Sequence, residues 1–380
     1  MNSVKILINL IPIKSGGGQQ VAANFITQAP LVYCDELLYL TTKGSHTALL
    51  LQSKGANFIE VETSLIGRFL FSYFNLKKIV FTHNIDVIYT LFGPGIFVKG
   101  IPSITGCAYS NLFFPEIDFW FSYKGLKKIK HKLIDWYRLK NTLKSDAIIF
   151  ENEAMQKRCS ELFNYPRHKT TLILPSISTY PNNNDTQNID ADVFNVEKPF
   201  VVLLLTGWHP NKNIEVIPYI LKSLKDEGCT SVKFRLTLDE KHEKSKQLKE
   251  IAQDLQVSEN IELIGGVLPA EIPSVIQNSN AIGLFSLLES FSNNIIEAWY
   301  FKKPLIISDE EWSRAICKDA AVYVERMNTK HIAKMILKLK NEPSFLKKIV
   351  DRGVEISSTY PSPKAKVQLQ FEFIQRFLNE

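Results

Sequence analysis

The sequence predicts an α/β protein of two doubly wound, parallel-sheet, Rossmann-like domains, and three observations predict it. The chain has 380 residues, more than one hydrophobic core usually organises. Short apolar runs of strand length alternate with longer stretches of helical periodicity along nearly all of it. A polar stretch at 181–198, opening with Pro181-Asn182-Asn183-Asn184-Asp185 and poor in large apolar residues, splits that alternation into two series.

The first series opens with an apolar run at 4–10 and a helix-like stretch at 19–27. A strand-like run at 37–40 precedes a helical 46–54, a further strand is expected at 87–90, and 147–150 precedes a helical 153–163. The second series places strands at 200–205, 233–238, 261–264, 281–285 and 304–307, each followed by a helix-like stretch. The tail at 364–379 carries apolar residues at helical spacing with no strand after it, so it is expected as a helix covering part of the first domain. The expected organisation is therefore a first domain at 1–180 with the 364–380 helix packed back on it, a linker at 181–198, and a second domain at 199–363. Two such domains are expected to face a central cleft.

Bulk properties narrow the function classes. A content of 45% hydrophobic and 22% charged residues is that of a globular chain, which excludes disordered and fibrous classes. The cysteines Cys34, Cys107, Cys159, Cys229 and Cys317 are scattered, without C-x-x-C pairs or metal-ligand spacing, and read as reduced. The run at 4–10 leads into Ser15-Gly16-Gly17-Gly18 with no small-residue cleavage site, so it reads as a strand and not as a leader, and a cytoplasmic location is expected. No apolar stretch reaches the roughly 18 to 20 residues of a membrane span. The net charge of +6 fits a solvated surface or an anionic partner; nucleic acid is not expected.

The chemistry is densest in Glu289-Ser290-Phe291-Ser292-Asn293-Asn294-Ile295-Ile296-Glu297. The preceding strand should end here and a helix should start near Asn293, capped by Ser292 or Asn293. Helix N–H groups at the carboxyl end of a parallel strand make an anion seat. Glu289 before the helix and Glu297 about one turn inside it are placed to accept hydrogen bonds from hydroxyls of a ligand whose phosphates fill that seat. The alternative, a capping Glu289 and a solvated Glu297, fits the spacing alone but not the bracketed turn and the strand that follows at Lys303-Pro304-Leu305-Ile306-Ile307-Ser308.

This block, ESFSNNIIEAW followed by KPLIISD, resembles the E-x7-E signature of the retaining family 4 glycosyltransferases. The resemblance implies the GT-B fold, a nucleotide-sugar donor, Glu289 beside the donor sugar, Glu297 beside the ribose, and the backbone of Phe291, Ser292 and Asn293 at the diphosphate. The segment Thr206-Gly207-Trp208-His209-Pro210-Asn211-Lys212-Asn213 is similar to the family's G-x-x-x-x-K-N element and implies Gly207 and Lys212 at the donor diphosphate. Family members often carry Arg after this Gly, where this chain has Trp208. In the first domain, Gly17 and Gly18 are similar to a Gly-rich loop near the donor diphosphate and acceptor. Loops expected at 90–95 and 105–109 look acceptor-side, and the histidine many members place near Cys107 or Ala108 is absent.

Asp190-Ala191-Asp192 has the form of a D-x-D metal motif but falls in the polar linker, so no metal and no cofactor is expected; a lysine and helix N-termini can support a leaving diphosphate. The basic, aromatic stretch at 123–140 fits either a solvated helix or one lying on an anionic membrane, which would make the protein peripheral on the inner membrane face. The expected function is a retaining, metal-independent, hexosyltransferase-like activity. It would move a sugar to an acceptor hydroxyl in cell-surface polysaccharide or lipid-linked oligosaccharide synthesis. The rivals are a non-catalytic nucleotide or sugar binder, a GT-B epimerase, and an inverting enzyme for which His83 would be the candidate base.

Overall fold

The computed structural model describes residues 4–13, 17–33, 36–62, 75–176 and 199–379. The linker with Asp190 and Asp192, together with Ser15, Gly16 and Cys34, lies outside the described residues. The chain forms two compact α/β units. One runs to Ser176 and takes back the tail from Pro361; the other ends at Tyr360.

The sheet of the first unit contains β1 (Ile6–Asn9), β2 (Leu37–Thr42), β3 (Phe58–Val61), β4 (Val87–Thr90), β5 (Ser103–Cys107), β6 (Ala147–Phe150) and β7 (Thr170–Leu172). Their order is β3-β2-β1-β4-β5-β6-β7, every pair parallel. β1 lies inside the sheet with all its residues buried, since helices cover both faces of a parallel sheet and leave no polar side.

Residues 105–107, expected as a loop, are the end of β5. Glycine and threonine disguise the strand, but Gly106 lies so close to β4's exit that a Cβ there would collide with the Leu91 carbonyl oxygen. The neighbouring chain, not a turn, demands that glycine. The tail helix Pro363–Asn379 packs on helix Gly17–Val32, with Phe371 stacked on Tyr33 at 4.4 Å and 5.7 Å from Phe25. Its Lys366 is buried and paired with buried Glu151, just beyond β6.

The second sheet contains β8 (Phe200–Leu204), β9 (Val232–Leu236), β10 (Ile261–Leu263), β11 (Ala281–Leu284), β12 (Leu305–Ser308) and β13 (Val322–Val324), ordered β10-β9-β8-β11-β12-β13 and wholly parallel. Helix Asn293–Tyr300, after β11, is held from behind by helix Pro343–Ser357. Trp299 is the wedge. Its Nε1 donates to the Ala320 carbonyl at 3.1 Å, and its ring fills the space where any side chain at Gly353 would sit.

Candidate active site

In each sheet the strand order reverses once, between β1 and β4 and between β8 and β11. At such a switch point the two strand exits diverge, leaving a crevice at the carboxyl ends where open α/β sheets bind ligands. In the second unit the exits of β8 and β11 are the two segments singled out in the sequence.

The β8 exit is stiffened into a short 3-10 turn, Pro210–Lys212. His209 caps it: Nδ1 accepts the Asn211 backbone N–H at 3.1 Å, which requires that nitrogen to be unprotonated. Burial, then the positive Lys212, hold the His209 pKa below the ordinary histidine range; Lys244 adds to this and Glu289 opposes it. Asn213 ends the turn in the left-handed region at φ 54°, which asparagine tolerates, and its Nδ2 donates to the Arg326 carbonyl at 2.8 Å.

Asparagines join the two exits. Buried Asn211 donates from Nδ2 to the Leu288 carbonyl at 2.7 Å and accepts the Leu288 N–H at Oδ1 at 3.0 Å. Its own carbonyl accepts the Leu287 N–H at 2.8 Å. From the other side, Asn294 Nδ2 donates to the Leu205 carbonyl at 2.9 Å. This stitching brings Lys212 Nζ to 2.5 Å from Glu289 Oε1, with side chains 26% and 15% exposed. The pair is largely dry yet reachable.

Next to Glu289 the helix Asn293–Tyr300 begins. Ser292 stands at its N-cap with extended backbone and makes no side-chain capping bond, while its carbonyl accepts the Ile295 N–H at 3.0 Å. Phe291 is half-buried, its ring 6.0 Å from Tyr360, and Glu297 is buried one turn into the helix. Gly207 is exposed, lies outside the left-handed region, and has nothing within 4 Å of where a Cβ would be. Its own fold does not demand a glycine; the open space beside it admits a ligand to the backbone.

Gly17 and Gly18 belong to the other unit, at the start of helix Gly17–Val32 after β1. A Cβ on Gly18 would meet only Ile13, at an ordinary 3.6 Å. In the same unit Asn9 Nδ2 donates to Thr90 Oγ1 at 3.1 Å across the switch point. Cys107, near the position where many members of the resembled family carry a histidine, is buried with its thiol pushed up to about 12 by that burial; it is neutral and unreactive at ordinary pH.

Two roles are not visible in the sequence, those of Trp208 and Lys244. Trp208 is an anchor: its Nε1 donates to Ser245 Oγ at 3.0 Å and its ring stacks on His242 at 5.9 Å. That contact carries Lys244 to 5.6 Å above the indole, close enough to depress His209. A positive charge thus returns beside Trp208 from a helix far along the chain, and no local pattern announces it.

Residues 185–355 match the family model described as "Glycosyl transferases group 1". No curated protein resembles the chain in sequence strongly enough to count as a relative. Among solved structures, the chain is similar to a glycosyltransferase from Rickettsia africae ESF-5, at 14% identity and a TM-score of 0.73 over 100% of both chains. It is also similar to Anabaena Alr3699/HepE in complex with UDP and glucose, at 15% identity and a TM-score of 0.68 over 98% of this chain and 100% of that one. A putative UDP-N-acetylglucosamine 2-epimerase from Listeria monocytogenes is similar at 11% identity and a TM-score of 0.62, over 100% and 98%. These likenesses establish the fold as GT-B.

Proposed function

We propose that this chain is a glycosyltransferase that moves a sugar from a nucleoside diphosphate sugar to an acceptor hydroxyl with retention of configuration. The observation that carries the reading is the Lys212–Glu289 pair at the β8/β11 switch point, beside the N-terminus of helix Asn293–Tyr300. The match of 185–355 to group 1 glycosyl transferases, and the UDP and glucose bound in the Anabaena structure, support it.

In this scheme the bond from the anomeric carbon to the diphosphate oxygen breaks, and its electron pair leaves with the diphosphate. The acceptor oxygen bonds to the same carbon from the same face, and its proton passes to the departing phosphate oxygen. Lys212 and the helix amides meet the charge that develops on the diphosphate, Lys244 adds to the local positive field, and Glu289 orients the sugar hydroxyls. Glu297 receives the ribose, and Gly207, Phe291, Ser292 and Asn293 present backbone to the phosphates. Gly17 and Gly18 keep the donor-binding role that the resemblance implies for a Gly-rich loop after the first strand. No divalent ion enters the scheme. Cell-surface polysaccharide or lipid-linked oligosaccharide assembly in the cytoplasm is the proposed setting.

The test is release of nucleoside diphosphate from UDP-, GDP- and ADP-sugars, by transfer or by slow hydrolysis, with EDTA present. Wild type should turn over one series, and Glu289→Gln should lose about a hundredfold or more while remaining folded. Full activity in Glu289→Gln sinks the assignment. The similarity to the putative Listeria epimerase favours one second reading, and product analysis separates it: an epimerase returns an altered sugar with no transfer to any acceptor.

A further inference from the structure

The 19-residue helix Gly125–Leu143 of the first unit buries only Thr142. Its inner face is fixed elsewhere: Asp135 accepts from Asn111 Nδ2 at 2.7 Å, Trp120 Nε1 at 2.5 Å and Arg138 at 3.1 Å, while His131 stacks on Trp120 at 4.2 Å. The outer face is apolar. Leu126, Ile129, Leu133, Trp136 and Tyr137 are 85%, 55%, 62%, 60% and 57% exposed. At helical periodicity these positions fall within an arc of about 100°. Exposed Lys127 and Lys130 flank the arc on one side and Lys132 on the other, and Lys140 lies within it, its Nζ 5.2 Å from the Trp136 ring.

We propose that this helix docks in the plane of an anionic lipid surface, with the apolar arc at the acyl boundary and the lysines among the headgroups. Aromatic and leucine side chains on one face with lysines at its margins are the pattern of an interfacial helix. The charge identifies the occupant. The stretch 124–144 carries eight Lys or Arg against the single Asp135, whose carboxylate is turned to the inner face, so a second copy of the same face would be repelled and an acidic surface attracted. Among the described residues no helix is long and apolar enough to cross a membrane, so the contact is peripheral. The proposal goes beyond sugar transfer and does not depend on it.

The experiment is vesicle flotation of the full chain on phosphatidylcholine alone and on phosphatidylcholine mixed with phosphatidylglycerol, at low and high salt. Wild type should float with the anionic vesicles only, less so in high salt. Leu133→Gln/Trp136→Gln and Lys127→Glu/Lys130→Glu/Lys132→Glu should each lose about tenfold or more in binding. Because these side chains are exposed, both variants should keep wild-type thermal unfolding. No flotation of wild type, or variants that float as well as wild type, overturns the proposal. Light scattering without lipid supplies the remaining check: an oligomer that Leu133→Gln/Trp136→Gln dissolves would assign the face to a second copy and overturn the lipid surface.

Discussion

Lys212 and Glu289 stand 77 residues apart in sequence and 2.5 Å apart in space, and Asn211 is the reason. Its amide satisfies both backbone groups of Leu288, so the loop carrying Glu289 is registered against the turn carrying Lys212. The two charged residues were legible because each sits in a short pattern, a Gly-to-Lys turn and a Glu pair around a strand-to-helix junction. Asn211 was in view but its work was not, since nothing in a single sequence says which loop an asparagine will face. His209 yields a pH prediction. Its folded pKa is depressed, so the neutral form stabilises the turn; that stability is complete above the ordinary histidine value of about 6.5 and is lost as pH falls through the lowered value. His209→Asn keeps a capping acceptor that does not titrate. Thermal unfolding followed from neutral to acidic pH should show wild type losing stability faster than His209→Asn, and equal slopes would show that the cap does not titrate in this way.

At the level of elements, most strands were readable, the short edge strand β10 among them, and β3, β5, β7 and β13 were not. β3 and β7 lie at the two edges of the first sheet and bury their side chains incompletely, and β5 carries Ser103, Thr105 and Gly106 in a fully buried strand. Burial there comes from neighbouring elements, which local hydrophobicity does not report. The tail helix was visible by its period, whereas its buried cation was not. Lys366 and Glu151, with side chains 4% and 10% exposed, tie the tail to the end of β6, and the ammonium also lies 5.8 Å from the Phe92 ring. Removing one member leaves the other charged in a dry site, so Lys366→Ala should destabilise the protein by about 3–5 kcal/mol. Lys366→Met with Glu151→Leu should recover most of that loss in urea unfolding. A silent Lys366→Ala would mean that the tail is held by Phe371 and its apolar neighbours alone.

Across the whole molecule, one architectural rule is used twice. Each unit is a parallel sheet whose order reverses once, and each reversal offers a crevice at the strand exits. The units differ in what fills it: the second has a lysine, two glutamates and a helix N-terminus, the first a Gly-bearing helix start and an Asn9–Thr90 bond. That asymmetry supports the proposal that the nucleotide binds to the second unit. The most direct measurement is thermal unfolding of the purified protein against UDP, GDP, ADP and their sugars without added metal. A nucleotide at a hundredfold its dissociation constant should add about 2.7 kcal/mol of stability, and one series should do so. Lys212→Ala and Glu297→Ala should abolish that gain while leaving the unliganded protein folded. An equal gain in both variants, or no gain from any nucleotide, would contradict a donor site at the β8/β11 switch point.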